Sequence, residues 1–288
     1  MSRERPLPRL IATDLDGTFL SSAGTVSEQN AAAVKAAQRA GITVVFATGR
    51  PVRWLEVIRD LPGGHPTVIA SNGAVLYDTA TGEFLDRIFL DPAVLLDAVR
   101  KIRAAVPGAA FGFESGTSFA HEANYAMSPP IGLLLARQEP AQHRDAGGVD
   151  ADLTGDAEEL ARGTDFVKML VQHRGIRPDE LLESVRELLG DALTATHSAG
   201  RDVGLVEVSA AGVSKASMLR HYCARLGVDA LDVAAFGDMP NDVAMLSWAG
   251  MPYVVANAHP LLRRGQFPIV PANDESGVGR TIQGWLAR

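Results

Sequence analysis

An α/β fold, a parallel sheet flanked by helices and interrupted by an inserted α+β module, is predicted by three observations. Apolar, β-branched runs alternate with helical stretches at both ends of the chain. Several of those runs break abruptly into a carboxylate, a hydroxyl or a glycine. Between about Arg87 and Ala210 the alternation gives way to separate helix and hairpin units. Strands of parallel sheets are covered on both faces and so read as continuous apolar runs, and open α/β sheets take ligands just beyond the strands' carboxyl ends.

The first run, Leu10-Ile11-Ala12-Thr13, ends in Asp14-Leu15-Asp16-Gly17-Thr18. Asp14 and Asp16, two apart on an extended strand, are expected to point the same way, with Gly17 letting the chain turn after them. Two such carboxylates can bind a hard divalent cation, or divide labour as nucleophile and general acid/base. Ser27 is placed to cap a helix through about Ala40, with Val34 and Ala37 on one face and Gly41 as its stop. Ile42–Ala47 is the second strand, ending in Thr48-Gly49-Arg50-Pro51, with Pro51 suited to the first turn of a helix. Gly49 permits close backbone approach, and exposed N–H groups beside a helix start favour an anion. A Thr-Gly turn with a surface arginine fits the same residues. Thr67–Ala70 is the third strand, running into Ser71-Asn72-Gly73-Ala74, and a hairpin follows at Val75–Asp78 and Phe84–Phe89.

In the middle segment the pattern predicts a helix at Pro92–Ala104, strands at Ala110–Glu114 and Thr117–His121, a strand Phe166–Gln172, a helix Asp179–Leu189 and two further strand-like runs. Glu122 to Thr164 holds Pro129-Pro130, Glu139-Pro140 and Gly147-Gly148, which fits an irregular loop-and-helix region.

The alternation resumes at Ser214-Lys215, which opens a helix with Met218, Leu219, Tyr222 and Leu226 on one face and Gly227 as its end. A cation in a helix's first turn opposes the helix dipole, so Lys215 is expected to meet an anion there. Val233–Phe236 then breaks into Gly237-Asp238-Met239-Pro240-Asn241-Asp242. Pro240 suits a helix's first position, placing Asn241 and Asp242 in the first turn and Met245, Leu246 and Trp248 toward the core. Strands Tyr253–Val255 and Ile269–Val270 and a helix from about Ser276 to Leu286 complete the pattern.

A length of 288 residues suggests two domains. The net charge of −7, with 27 scattered basic residues, argues against nucleic acid or an anionic membrane as partner. A lone cysteine, Cys223, excludes an internal disulfide or a Cys-rich zinc site and fits a reducing cytosol. The first ten residues lack a signal-peptide core, and no apolar run approaches the ~20 residues of a membrane span, so a cytoplasmic, unanchored protein is expected. No His-Glu-x-x-His, Gly-x-Gly-x-x-Gly or Walker loop is present, and His259 fits a helix start or the surface. The oligomeric state stays open.

Taken in order, Asp14-x-Asp16-Gly17-Thr18, Thr48, Lys215 and Gly237-Asp238-x-x-Asn241-Asp242 resemble the four motifs of the haloacid dehalogenase-like (HAD) superfamily. Ala70-Ser71-Asn72-Gly73-Ala74 and the tail segments Ala256–His259 and Asp274–Val278 resemble its Cof-type (type IIB) phosphatase branch. The resemblance spans essentially the whole chain. It implies a Rossmann-like core from residues 1–86 and 211–288, with an inserted α/β cap at 87–210 that closes over the active site.

The activity it implies is a magnesium-dependent phosphatase acting on small phosphate monoesters, sugar phosphates or phosphorylated cofactors, through an aspartyl phosphate. Under that resemblance Asp14 is the nucleophile and Asp16 the general acid/base. Asp14, Asp238 and the backbone carbonyl of Asp16 hold the metal; Thr48, Gly49, Lys215 and Asn241 hold the phosphoryl group; Asp242, Asn72 and Arg50 orient the others. Lys215-Ala216 departs from the family's usual Lys-Gly. Asp16 separates the chain from transport ATPases, which carry Thr there, and from dehalogenases, which lack the acidic partner. A hexose phosphomutase or phosphotransferase of the same superfamily, and a ligand-binding protein without turnover, are the alternatives. Discrimination among substrates is expected from the insert, where Tyr125, Arg137, Gln142, His143 and Arg144 are candidates.

Overall fold

The computed structural model describes residues 6–59, 61, 66–125, 153–163, 165–197 and 204–287. The chain divides into two compact units, Met1–Ile88 with Gly212–Arg288, and Phe89–Ala211.

In the first unit the chain builds β1 (Leu10–Thr13), β2 (Thr43–Ala47) and β3 (Thr67–Ala70), which are parallel, then the antiparallel β4 (Val75–Asp78) and β5 (Glu83–Arg87). Leu10, Ile11 and Ala12 of β1 are wholly buried, as a strand covered on both faces requires. The helix Glu28–Arg39 between β1 and β2 is capped by Ser27, whose side chain accepts from the Asn30 N–H, and buries Ala33, Val34 and Ala37.

The second unit is a mixed six-stranded sheet with helices, the α+β module expected from the pattern. Its strands are β6 (Ala110–Glu114), β7 (Phe119–His121), β8 (Leu153–Thr154), β9 (Lys168–His173), β10 (Leu193–Thr196) and β11 (Gly204–Ala210), in the order β10-β11-β9-β6-β7-β8. Alternate residues Phe111, Phe113, Met169, Val171, Val206 and Val208 pack with Leu95, Val99 and Ile102 of the helix Pro92–Ala105 and with Leu181 and Val185 of the helix Pro178–Leu189. The helix Ala157–Leu160 lies within the stretch that reads as a loop-and-helix region, and strand β8 there is not among the expected elements. Tyr125 is buried, edge-on to Phe119. Arg137, Gln142, His143 and Arg144 lie outside the described residues.

Back in the first unit, β12 (Val233–Gly237), β13 (Met251–Val255) and β14 (Ile269–Val270) complete an eight-stranded sheet of order β14-β13-β12-β1-β2-β3-β4-β5. From β1 the chain winds outward through β2 and β3, and on its return builds the opposite side through β12, β13 and β14. The crevice at such a reversal, beyond the carboxyl ends of the strands, is where open α/β sheets bind ligands. Four strands end there in residues singled out above: β1 before Asp14, β2 before Thr48, β3 before Ser71-Asn72 and β12 before Asp238.

Three local features depart from the expected pattern. Leu226, placed on the buried face of the helix Lys215–Leu226, is 40% exposed in that helix's last turn. The last helix starts at Gly277 because Ser276 is left-handed, at φ 58. After Asp14 the chain enters a tight five-residue π-type turn, Leu15–Phe19, with Gly17 at φ 80. Among the described residues no helix is long and apolar enough to cross a membrane.

Candidate active site

The site forms around Lys215, the first residue of its helix, whose preceding Ser214 caps the helix by accepting from the Ser217 N–H. The lysine is 2% exposed, and its Nζ donates to Asp14 Oδ1 at 2.5 Å and to Asp242 Oδ1 at 2.7 Å. Burial pulls the ammonium's pKa down, but the charges and hydrogen bonds of Asp14 and Asp242 outweigh it and hold the pKa above its ordinary value. The anion expected to meet this helix-start lysine is therefore a pair of buried aspartates.

Asp242 is wholly buried and saturated: its Oδ2 accepts from the backbone N–H groups of Asp238 and Met239, each at 3.0 Å. It ties the short helical turn Pro240–Asp242 back on itself and so fixes where Asp238 emerges from β12. A Cβ at Gly237 would lie 2.6 Å from Asp242 Cβ, so only glycine admits this closure. Asp238 Oδ1 accepts from the Thr18 hydroxyl at 2.8 Å. A Cβ on Gly17 would approach Asp238 Oδ2 to 2.5 Å, which makes glycine at that turn a condition of the close contact between the two motifs.

Asp14, Asp238 and Asp242 each present a carboxylate oxygen within 4.8 Å of the others. Burial pushes Asp238 up to about 7, helped by the charge on Asp242. Burial likewise raises Asp14, against the pull of Lys215 and with Asp242 and Asp238 adding to it. Three buried carboxylates share one ammonium, and burial together with their mutual repulsion makes Asp14 and Asp238 hold protons more tightly than usual. With Asp242 engaged by Lys215 and two N–H groups, Asp14 and Asp238 are the carboxylates available to a metal ion. Hard oxygen ligands in that number, leaving positions for water and substrate, fit a small divalent cation.

Asp16 is not one of the three clustered carboxylates, although its charge also raises Asp14. Because the strand has given way to the Leu15–Phe19 turn, the period-two rule no longer aligns it with Asp14, and its carboxylate is 54% exposed. Arg50 holds it in a fork, Nε to Oδ2 at 2.8 Å and Nη2 to Oδ1 at 2.6 Å. The sequence marked both residues but not their pairing.

Thr48 is wholly buried at the end of β2; its Oγ1 accepts from the Arg50 N–H at 3.0 Å, leaving its own O–H to donate. Gly49 follows in the same turn. Beyond β3, Ser71 and Asn72 are both left-handed, at φ 50 and 56. The Asn72 N–H donates to the Thr48 carbonyl at 3.0 Å, and Asn72 Oδ1 accepts from Asn241 Nδ2 at 3.2 Å. Ser71 Oγ and Asn241 Oδ1 are buried without a hydrogen-bond partner among the described residues.

Sequence reasoning missed two supports. Asn257 donates from Nδ2 to the Gly17 carbonyl at 2.7 Å, and His259 donates its N–H to the Asp238 carbonyl at 2.8 Å. The run Ala256-Asn257-Ala258-His259 was the available signal. His259 also caps the short helix Pro260–Arg263, its Nδ1 accepting from the Leu261 N–H.

The left-handed pair yields a first prediction. Glycine adopts φ 56 without cost and alanine does not, so Asn72→Ala should melt lower than Asn72→Gly by about 1 kcal/mol of stability. Equal melting temperatures would show that the turn relaxes.

Residues 11–282 match the haloacid dehalogenase-like hydrolase family model, and the chain belongs to that family. A 5-amino-6-(5-phospho-D-ribitylamino)uracil phosphatase of Bacillus subtilis, YcsE, is 26% identical over 281 residues, with 96% of each chain covered. The SMU.1108c structure from Streptococcus mutans superposes with a TM-score of 0.80 at 24% identity, covering 98% of this chain and 100% of that one. The HAD subclass IIB sugar phosphatase BT4131 gives 0.77 at 16% identity, covering 96% and 98%, so the fold is the one seen in that subclass.

Proposed function

We propose that the protein is a magnesium-dependent phosphatase of small phosphate monoesters, with Asp14 as nucleophile. The observation that carries this is the buried Asp14 carboxylate at the end of β1, 2.5 Å from Lys215 and clustered with Asp238 and Asp242. A nucleophilic carboxylate needs its charge masked from the anionic phosphate it attacks, and Lys215 supplies part of that mask. Asp14, Asp238 and the Asp16 carbonyl would hold magnesium, which would supply positive charge to offset the negative charge of the phosphoryl oxygens.

Asp14 attacks phosphorus in line while Asp16 gives a proton to the leaving oxygen, so the P–O ester bond breaks as the Asp14–phosphorus bond forms and the alcohol departs. Asp16, now ionised, takes a proton from a water that attacks the aspartyl phosphate, releasing phosphate and regenerating the Asp14 carboxylate and the protonated Asp16. Lys215 and the Thr48 hydroxyl stabilise the phosphoryl oxygens, with Gly49 allowing the backbone a close approach. Asn241, held by Asn72, presents its amide to the phosphate, and Asp242 keeps Lys215 aimed at Asp14. The inserted unit, proposed as the cap, selects the group that the phosphate is attached to. Sugar phosphates and phosphorylated cofactors are the proposed substrates, in keeping with the named relatives, one acting on a phosphoribityl compound and one on sugar phosphates.

A phosphoester panel with magnesium tests the reading. Free phosphate released in step with the alcohol is expected; a retained ester would mean phosphoryl transfer between substrates, and no release from any ester would mean a binding protein. Excess chelator should abolish activity and magnesium restore it, with calcium inhibiting through its larger, less regular shell. Asp238→Asn should raise the magnesium needed for half-activity about a hundredfold. Full activity in chelator would remove the metal from this reading.

A further inference from the structure

We propose that Arg50 is the positioning residue for Asp16, fixing the carboxyl group that the reading above makes the general acid/base; the proposal rests on that reading. Among the described residues, both Asp16 oxygens accept hydrogen bonds only from Arg50. The two partners are unequal. Asp16 sits on a tight turn with its side chain 54% exposed, whereas the Arg50 side chain is 9% exposed.

Arg50 is rooted at three further points. Its Nη1 donates to the Trp54 carbonyl at 3.2 Å, its N–H to Thr48 Oγ1 at 3.0 Å, and its carbonyl accepts from the Ser71 N–H at 2.9 Å. The arginine thus belongs to the frame formed by the ends of β2 and β3, and the carboxylate from the end of β1 is held against it. An ion pair with one partner this exposed adds little stability, so the fork is better explained by orientation than by folding energy. A guanidinium fork fixes the plane and direction of a carboxylate, which a lysine, as a rotating point charge, does not. Opening one of the two hydrogen bonds frees an oxygen to pass or take a proton while the other keeps the group tethered.

Proton donation matters for an alkyl leaving group and hardly for an activated aryl phosphate, whose phenolate departs unaided. The test therefore compares kcat/KM, which covers steps through loss of the leaving group, for an alkyl phosphate and for p-nitrophenyl phosphate. It uses wild type, Arg50→Gln, Arg50→Lys, Asp16→Asn and the double variant Arg50→Gln with Asp16→Asn. Arg50→Gln is expected to lower the alkyl-to-aryl ratio about tenfold or more, Arg50→Lys to recover it only in part, and Asp16→Asn to lower it about a hundredfold. In the Asp16→Asn background, Arg50→Gln should change the ratio less than about twofold, because its effect passes through the missing carboxyl.

An equal fall for both substrates in Arg50→Gln, or an undiminished selective fall in the Asp16→Asn background, would overturn the positioning role. An unchanged ratio in Asp16→Asn itself would instead remove Asp16 as the acid, and the proposal with it. If Arg50→Gln fails to fold, Arg50→Lys decides alone: a wild-type ratio there overturns the need for a fork.

Discussion

Asp14→Asn is expected to lower turnover by at least about 10⁴-fold, ~5.4 kcal/mol of barrier, while the protein stays folded. An amide is neither a nucleophile toward phosphorus nor a useful ligand for a hard cation, so the substitution removes both roles assigned to this position. The fold should survive because the new side-chain amide keeps an oxygen that can accept from Lys215, and Lys215 keeps Asp242 at 2.7 Å. The change also takes one negative charge out of a cluster in which Asp14, Asp238 and Asp242 are all buried, so the melting temperature should stay within a few degrees of wild type or rise. Rapid-quench measurement separates this variant from Asp16→Asn. The first should form no phosphorylated protein; the second should be labelled by an activated aryl phosphate and lose the label slowly. Near-wild-type turnover in Asp14→Asn would sink the nucleophile assignment.

The strands that carry these groups were legible because β1, β2, β3 and β12 are short apolar runs, and a buried parallel strand leaves that signature whatever surrounds it. Asp14, Thr48 and Asp238 were legible for a related reason: a polar side chain directly after such a run stands at the sheet's carboxyl edge. Lys215 could be placed from its conflict with the helix dipole. What the chain does once it leaves a strand was much harder to read. The two-residue period that predicts Asp16 aligned with Asp14 holds only while the backbone is extended, and the Leu15–Phe19 turn ends that condition at once. The Arg50–Asp16 fork joins residues far apart in sequence and depends on where β2 lies beside β1, which local pattern does not encode. Strand β8, two residues long, is too short for any periodicity. The buried Lys168–Glu207 pair at 2.7 Å in the second unit was invisible for the opposite reason, since a lysine and a glutamate in strands read as solvent-facing until a partner is found.

Lys215→Met should be the most damaging single change to stability, and it should cost activity as well. The lysine is 2% exposed and stands at the start of its helix, where burial and the helix dipole both oppose a positive charge. It is held charged there by Asp14 at 2.5 Å and Asp242 at 2.7 Å, and those carboxylates in turn depend on it. Methionine fills nearly the same space, so the substitution removes the charge with little loss of packing and leaves two buried carboxylates facing each other. Removing one member of a buried pair costs about 3–5 kcal/mol, and denaturant unfolding in chelator should show a loss of that size. Repeating the measurement in saturating magnesium should narrow the gap, because a cation bound only by the folded protein stabilises it by mass action and replaces part of the missing positive charge. Turnover should remain about 10³-fold down even then, since the metal does not restore the donor aimed at Asp14 and the phosphoryl oxygens. Lys215→Arg provides the contrast: it keeps the charge but cannot fit a branched guanidinium where a single ammonium bridges two carboxylates, so it should regain more stability than activity. If Lys215→Met unfolded at the wild-type denaturant concentration, the three carboxylates would have to be relieved by something other than this lysine, and the account of Asp14 as a nucleophile masked by it would fall.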